Sequence, residues 1–514
     1  MGIAFSDQGQ FKEAIASCEK AVSIKPDYAE AFNNMGIVLQ NYKKPEEAIA
    51  SFEKALLLEP DYASARGQKL HQQSRICDWS GLDADRSYFA ELGVKGGAVP
   101  PFAMFSIEDA PDRHRLRSEL YAREECPQKP LPATVKPLKR PKRLRIGYFS
   151  ADFKEHPVSY LIAKVLEQHN RDKFEVFGYS LYGNEKSEMR QRIKKSFDCF
   201  LDVRDLSDKD IALKAREDRL DIAIDLNGYT QNARTGIFAY RAAPIQINYL
   251  GYPGTLGADF MDYIVADKYI IPPDSQKYFN EKELYLPNTY MPTDDGRELS
   301  ERSITRSEMG LPEEAFVFCC FNNNYKITSS EFDIWMRLLN KVEGSVLWLR
   351  KSNQISYLNI RNEAEKRKVD PSRIVFADRA EMNEHLARQK LADLFIDTFA
   401  FNAHTTATES LWAGLPVITK TGKSFAARVA GSLLTAVGLP ELITETEEEY
   451  EALALDLAKD PKRLSKIRAK LNKNRLTKPL FDTERYTRHL ETGYQLAYDR
   501  YFNGKEADHI FVPK

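Results

Sequence analysis

The stretch FCCFNNNYKITSSEFDIWMRLL, Phe318 to Leu339, sets a short apolar run against a helical one, with a polar loop between them. The first run is short and rich in aromatic and small apolar residues, so it reads as a buried strand. Thr328-Ser329-Ser330-Glu331 has the spacing of a capping box and predicts a helix starting there. Strand, loop and helix in that order make one unit of a parallel sheet covered by helices. The same texture extends both ways. Upstream candidates for strands are LRIGYFS (144–150), FEVFGYSLY (174–182), DIAIDLNGY (221–229), IQINYLGY (245–252) and DYIVAD (262–267). A second set comprises FVFCCFNN (316–323), SVLWLRKS (345–352), RIVFAD (373–378), ADLFIDTF (392–399) and PVIT (416–419). A polar stretch from about 290 to 312 separates the sets, which predicts two doubly wound α/β domains facing a cleft. Ligands of such sheets bind beyond the carboxyl ends of the strands, so the loops there are where chemistry belongs.

The N-terminal part differs. Pro26-Asp27-Tyr28 and Pro60-Asp61-Tyr62 lie 34 residues apart, as do Ala14-Ile15-Ala16-Ser17 and Ala48-Ile49-Ala50-Ser51, and Met1-Gly2 and Met35-Gly36. That period, with small residues where paired helices touch and a proline closing each unit, is the tetratricopeptide signature. Such units bury their apolar faces only by stacking on neighbours. Here there are about two, the first incomplete, so the array is expected to lean on the segment that follows or to be a shortened remnant. Residues 65–125 read as helical connector. CPQKPLPATVKPLKRPKRLR, with a basic cluster from Lys136 to Arg145, reads as a solvated linker into the first strand rather than a localisation signal. The expected division is 1–64 for the repeats, 65–141 for connector and linker, 142–295 and 296–475 for the two α/β domains, and 476–514 for a C-terminal helical segment.

Bulk properties narrow the function. Of 514 residues, 74 are basic and 75 acidic, so a general nucleic-acid-binding surface is not implied. No apolar run is long enough for a membrane span, and MGIAFSDQGQFKEAI lacks the charge and apolar pattern of a signal peptide. The six cysteines form no CxxC pair, which fits a reducing cytoplasm. The eight histidines show no HxxxH or HExxH spacing, so no metal and no resident cofactor is expected.

Four loops after strands carry candidate chemistry. The first places His156 beyond LRIGYFS and before an amphipathic helix. The second region holds two turns, Asn227-Gly228 and Gly251-Tyr252-Pro253-Gly254-Thr255, with Thr230 and Thr255 as hydroxyl donors, and reads as a binding rim. In the third, Asn322 to Asn324 and Tyr325 precede Lys326, which stands just before the helix starting at Thr328. A cation at the positive end of a helix is unfavourable unless the two share an anion, so Lys326 reads as a phosphate contact. The fourth, FNAHTTATESLWAGLPVIT (401–419), crowds His404, Thr405 and Thr406 at another helix start. Thr406 and Glu409 have capping-box spacing, whereas His404 and Thr405 are surplus to capping and suit a diphosphate. No GxGxxG and no GxxxxGK[ST] occurs, so neither a dinucleotide fingerprint nor a Walker loop is present.

Together GYPGT, DLNGYT, EHPVSYL, FNNNYKI and the histidine–threonine loop, preceded by tetratricopeptide units and CDW, closely resemble glycosyltransferase family 41 over essentially the whole chain. That family includes the O-GlcNAc transferases and the SPINDLY-type fucosyltransferases. The resemblance implies a GT-B fold of two Rossmann-like domains, the second binding most of the donor nucleotide. It also implies inversion at the sugar without a metal. Residue by residue, it makes Lys326 the lysine that neutralises the leaving diphosphate, and His404, Thr405 and Thr406 the donor phosphate loop. It places Glu409 at the ribose, His385 near the uracil with Arg388 close by, and Asn323 and Tyr325 on the donor side. His156 matches a histidine proposed as general base, with Asp225 and the donor phosphate as rivals. Asn227, Thr230, Pro253, Gly254 and Thr255 fall on the sugar and acceptor side.

Three departures stand out. Met382 replaces a lysine of the O-GlcNAc transferases, the repeat array is very short, and the domain inserted between the catalytic halves of animal members is missing. The resemblance thus implies transfer of GlcNAc from UDP-GlcNAc to Ser or Thr of a protein acceptor, guided by the repeats, in the cytoplasm. SPINDLY-type members tend to carry glycine where His404 stands, which favours UDP-GlcNAc over GDP-fucose. A silent tetratricopeptide scaffold is the alternative of another class.

Overall fold

In the computed structural model, residues 2–7, 9–133, 136–183 and 186–514 are described; Met1 of the first repeat match, and Thr134 and Val135 of the linker, lie outside them. The 34-residue period becomes helical hairpins: Phe11–Ile24 packs on Ala29–Asn41, and Pro45–Leu58 on Ala63–Ile76. Small residues sit where helices meet: Ala14 and Ala48 are wholly buried, as is Ala65, and its counterpart Ala31 is 4% exposed. Gly36 is required there, because a Cβ would lie 2.4 Å from the Phe52 ring. The connector adds the helices Trp79–Ala84 and Pro111–Glu125.

Among the described residues fourteen strands form two sheets, and every recorded pairing is parallel. The first sheet uses β1 (Leu144–Ser150), β2 (Phe174–Ser180), β3 (Cys199–Asp202), β4 (Ile222–Asp225), β5 (Ile245–Asn248), β6 (Tyr263–Asp267) and β7 (Lys282–Leu286). The second uses β8 (Val317–Cys320), β9 (Val346–Arg350), β10 (Ile374–Ala377), β11 (Leu394–Ile396), β12 (Val417–Lys420) and β13 (Ile443–Thr444). A last strand, β14 (Ile510–Phe511), rejoins the first sheet beside β7, pairing Ile510 with Leu284.

The strand orders are β3-β2-β1-β4-β5-β6-β7-β14 and β10-β9-β8-β11-β12-β13. Both reverse direction once, the first between β1 and β4 and the second between β8 and β11. These are switch points, where the loops diverge and open a crevice. The four loops picked out from the sequence begin at β1, β4, β8 and β11, with the GYPGT turn following β5.

The expected two doubly wound domains are present, with corrections at their edges. Strands β3, β7, β13 and β14 escaped the pattern because they are short or polar: two have two residues each, and β7 opens Lys282-Glu283. Expected strands overran their ends because buried apolar residues such as Leu181, Tyr249 and Phe321 continue into the loops. The helix Thr483–Phe502 returns to the first sheet through a buried hydroxyl seam: Tyr486 meets Tyr249 at 2.6 Å, Tyr494 meets Tyr148 at 3.2 Å, and Glu491 meets His169 at 3.0 Å.

Candidate functional site

Lys326 ends a short 3-10 turn after β8 and is 7% exposed. Among the described residues one acceptor, Asn402 O at 2.8 Å, meets an ammonium that has three N–H groups. Its Nζ also stands 3.8 Å from the centre of the Phe401 ring. Burial holds its pKa well below that of an ordinary lysine, and the charge of Asp397 opposes that shift. Asp397, at the end of β11, is itself pushed up by burial; it accepts from Thr398 N, Ala403 N, Asn322 Nδ2 and Thr419 Oγ1. The predicted capping box behind this loop is present, with Thr328 N donating to Glu331 at 2.9 Å.

The second switch-point loop leads into the helix Thr405–Ala413. His404 is its N-cap residue and offers no side-chain cap. Its Nε2 lies 3.1 Å from Ala426 O, so Nε2 carries the proton and donates. Burial, reinforced by Lys326, holds the ring neutral, with its pKa well below that of an exposed histidine. Ala407 and Thr408 donate back to His404 O at 3.1 and 3.2 Å, leaving the N–H groups of Thr405 and Thr406 at the open end of the helix.

The capping box expected for Thr406 and Glu409 does not form. Thr406 Oγ1 instead donates to Asn322 Oδ1 at 2.5 Å, and Glu409 turns away to His385. A partner across the switch point outcompetes the local one.

Glu409, His385 and Arg388 form a second group near Lys326's loop. Arg388 Nη2 donates to His385 Nδ1 at 2.8 Å, which leaves the proton on Nε2, facing Glu409 Oε2 at 3.4 Å. Arg388 also donates to Asp378 O, and its guanidinium lies 5.2 Å from the Phe321 ring, which packs on His385 at 5.3 Å. A half-buried imidazole, an aromatic floor and a carboxylate at one end of the sheet suit a base and a sugar hydroxyl. Asn323 is exposed and accepts from Arg350 at 2.5 Å, while Tyr325 turns to His71 and Phe102 of the helical segment.

In the first domain, His156 caps the helix Pro157–Gln168, its Nδ1 accepting from Val158 N at 3.3 Å. The neutral ring therefore carries its proton on Nε2, which is then a donor rather than an acceptor. Asp152 lies 3.6 Å from the same Nδ1, and burial lowers the pKa of the ring. Asn227 ties the two loops together: its Oδ1 accepts from Ala151 N at 2.7 Å and its Nδ2 donates to Asp152 at 2.6 Å. Thr230, half-buried, lies at the edge of that tie, 3.4 Å from Asn227 Nδ2.

Two first-domain expectations change. Asp225 is 2% exposed, and its Oδ1 accepts from Asn227 N and Gly228 N at 2.8 and 3.1 Å. It anchors the turn and is sealed from the cleft, with burial raising its pKa to about 6. The GYPGT turn faces inward as well. Pro253 is buried, Gly254 lies against Phe105, and Thr255 Oγ1 donates to Glu281 while accepting from Gly257 N at 3.0 Å. Its hydroxyl is consumed inside the domain, so this turn shapes the rim without lining it.

The structure thus brings Lys326, His404, Thr405 and Thr406 together, with His385, Arg388 and Glu409 alongside. The sequence reading missed Asp397, Asn402, Phe401 and Ala426, which surround Lys326 and His404; Asp397 fell inside the expected strand 392–399, whereas the observed strand ends just before it, at Ile396. A buried lysine, two N–H groups left open among the described residues and a neutral imidazole at a helix start form a set of donors suited to an anion. Among the described residues no group of three or more His, Cys, Asp or Glu is placed to hold a metal ion, and no helix is long and apolar enough to cross a membrane.

The model of glycosyl transferase family 41 matches residues 126–304 and 296–490, and tetratricopeptide repeat models match 2–41 and 29–62. The "Probable UDP-N-acetylglucosamine--peptide N-acetylglucosaminyltransferase SEC" of Arabidopsis thaliana is 41% identical over 377 residues, 72% of this chain and 39% of that protein. A Hordeum vulgare protein with the same enzymatic name, SPINDLY, is 33% identical over 374 residues, 70% of this chain and 39% of that one. The chain spans about two fifths of the length of these relatives. A solved lysine-to-methionine mutant of the Thermobaculum terrenum O-GlcNAc transferase matches with a TM-score of 0.78 at 26% identity, covering 98% of this chain and 97% of that one.

Proposed function

The chain belongs to glycosyl transferase family 41, and from that premise we propose that it moves GlcNAc from UDP-GlcNAc to Ser or Thr hydroxyls of proteins. The step is one inverting displacement that needs no metal. The acceptor oxygen forms a bond to the anomeric carbon as the bond to the diphosphate oxygen breaks. Negative charge builds on UDP, and the observation carrying the reading is the convergence of Lys326 with the open helix start at Thr405 and Thr406. Preorganised donors aimed at developing charge are the largest common source of catalysis. His385, Arg388 and Glu409 hold the nucleoside. Because His156 presents a protonated Nε2 and Asp225 is sealed, the hydroxyl proton goes to the departing diphosphate. The acceptor is a protein engaged in part by the helical repeats, in the cytoplasm.

GDP-fucose is the rival donor. A silent scaffold is the rival of another class, and the anion site is what argues against it. Titration with UDP and GDP tests the reading: UDP should bind and raise the melting temperature, with GDP much weaker. Tighter binding of GDP would move the donor to GDP-fucose, and binding of neither would refute the transferase reading.

A further inference from the structure

Residues 77–109 lie between the residues matched by the repeat models and those matched by the family model. They nevertheless reach the anion site along three routes. Trp79 Nε1 donates to Ile327 O at 3.1 Å, next to Lys326, and Cys77 Sγ meets Asn324 O at 3.8 Å. Phe102 and Phe105 pack at 5.7 and 5.9 Å on Phe401, the ring beneath Lys326 Nζ. Asp109 accepts from Lys423 N and Ser424 N, both at 2.7 Å, and a side chain at Gly422 would collide with its carboxylate.

The third route runs unbroken into the site. The loop gripped by Asp109 carries Ala426, whose carbonyl accepts from both Asn402 N at 3.0 Å and His404 Nε2 at 3.1 Å. Asn402 O in turn accepts from Lys326 Nζ at 2.8 Å. One carbonyl therefore fixes the proton on His404, and through Asn402 the place of the ammonium. Both contacts depend on where the 423–426 loop sits.

We propose that the connector is a working part of the anion site, with Asp109 and Trp79 as positioning residues that hold Lys326, Asn402 and His404 in register for a diphosphate. Neither touches the ligand. They act as a supporting shell, without which a site is present but loose. The inference rests on the nucleotide-diphosphate reading above, and it adds that the helical segment and the donor site are one unit.

The test compares UDP with uridine, because uridine uses only the His385, Arg388 and Glu409 group. In Asp109→Ala, affinity for UDP should fall by about tenfold or more, the effect of losing hydrogen bonds to a charged group, while uridine binding stays within about twofold. Trp79→Phe retains an aromatic ring to face Phe332, 4.9 Å from Trp79 in the parent, and removes the N–H with the second ring; it should show a smaller loss of the same selective kind. It also serves if Asp109→Ala does not fold. Equal losses for UDP and uridine, or no loss of UDP binding in the folded variants, would overturn the proposal. Failure of the unsubstituted protein to bind UDP would instead overturn the nucleotide reading and carry this inference with it.

Discussion

Replacing Lys326 by Met removes the charge while keeping the stem that packs on Phe401. Two magnitudes follow. For stability, the fold loses the hydrogen bond to Asn402 O and the attraction to Asp397, but it also sheds a desolvated ammonium. Asp397 keeps its four donors and takes up a proton at higher pH. The expected destabilisation is about 1–3 kcal/mol, less than the 3–5 kcal/mol typical of a stripped buried pair. For chemistry, losing one preorganised donor to the leaving group costs about 3–4 kcal/mol, or roughly 10²–10³ in kcat. The pH profile adds a signature. Burial depresses the pKa of Lys326, so the active ammonium is lost at lower pH than an exposed lysine would lose it. The parent rate should therefore fall on an alkaline limb that Lys326→Met lacks. Steady-state UDP release with UDP-GlcNAc and a protein acceptor measures the rate, and circular dichroism confirms folding. A folded Lys326→Met protein with kcat within tenfold of the parent would refute the role of this lysine.

Three other substitutions probe separate parts. His156→Asn retains an N-cap acceptor for Val158 N and should lower kcat by less than about tenfold, whereas loss of a general base costs 10²–10⁴. A loss in that larger range would restore the histidine as base. Thr406→Val leaves the buried Asn322 Oδ1 without its donor and should destabilise the fold by about 1–3 kcal/mol in urea unfolding; an unchanged midpoint would show that the contact is dispensable. Glu409→Ala should weaken UDP about tenfold yet leave 2′-deoxy-UDP unaffected, measured by calorimetry; equal losses would remove the carboxylate from the ribose.

Much of the fold was legible because parallel strands buried on both faces are apolar runs, and the loops after them stand out by contrast. The short edge strands β13 and β14 carry too few residues to show any pattern. In the site, Lys326 was legible as a local contradiction, a cation at a helix start. The same local rules misled at Thr406, whose spacing to Glu409 matches that of Thr328 to Glu331. Only the second pair caps a helix, because Asn322, 84 residues upstream, claims the Thr406 hydroxyl. Thr255 failed for a related reason: a hydroxyl in a turn looks available until Glu281 is brought beneath it. The connector was opaque for the plainest cause. Its contacts with the anion site span 247 residues for Cys77 and 315 for Asp109, and no sequence period records a pairing of that kind.

The proposed reaction moves the sugar of a nucleotide sugar onto a protein hydroxyl as the nucleoside diphosphate departs. Incubating the protein with a protein acceptor and UDP-GlcNAc, UDP-glucose or GDP-fucose separately, with mass spectrometry of both nucleotide and acceptor, tests it most directly. UDP release matched by one N-acetylhexosamine on Ser or Thr, from UDP-GlcNAc alone, is the expected result. Transfer only from GDP-fucose, or no release and no modified acceptor with any donor, would contradict it.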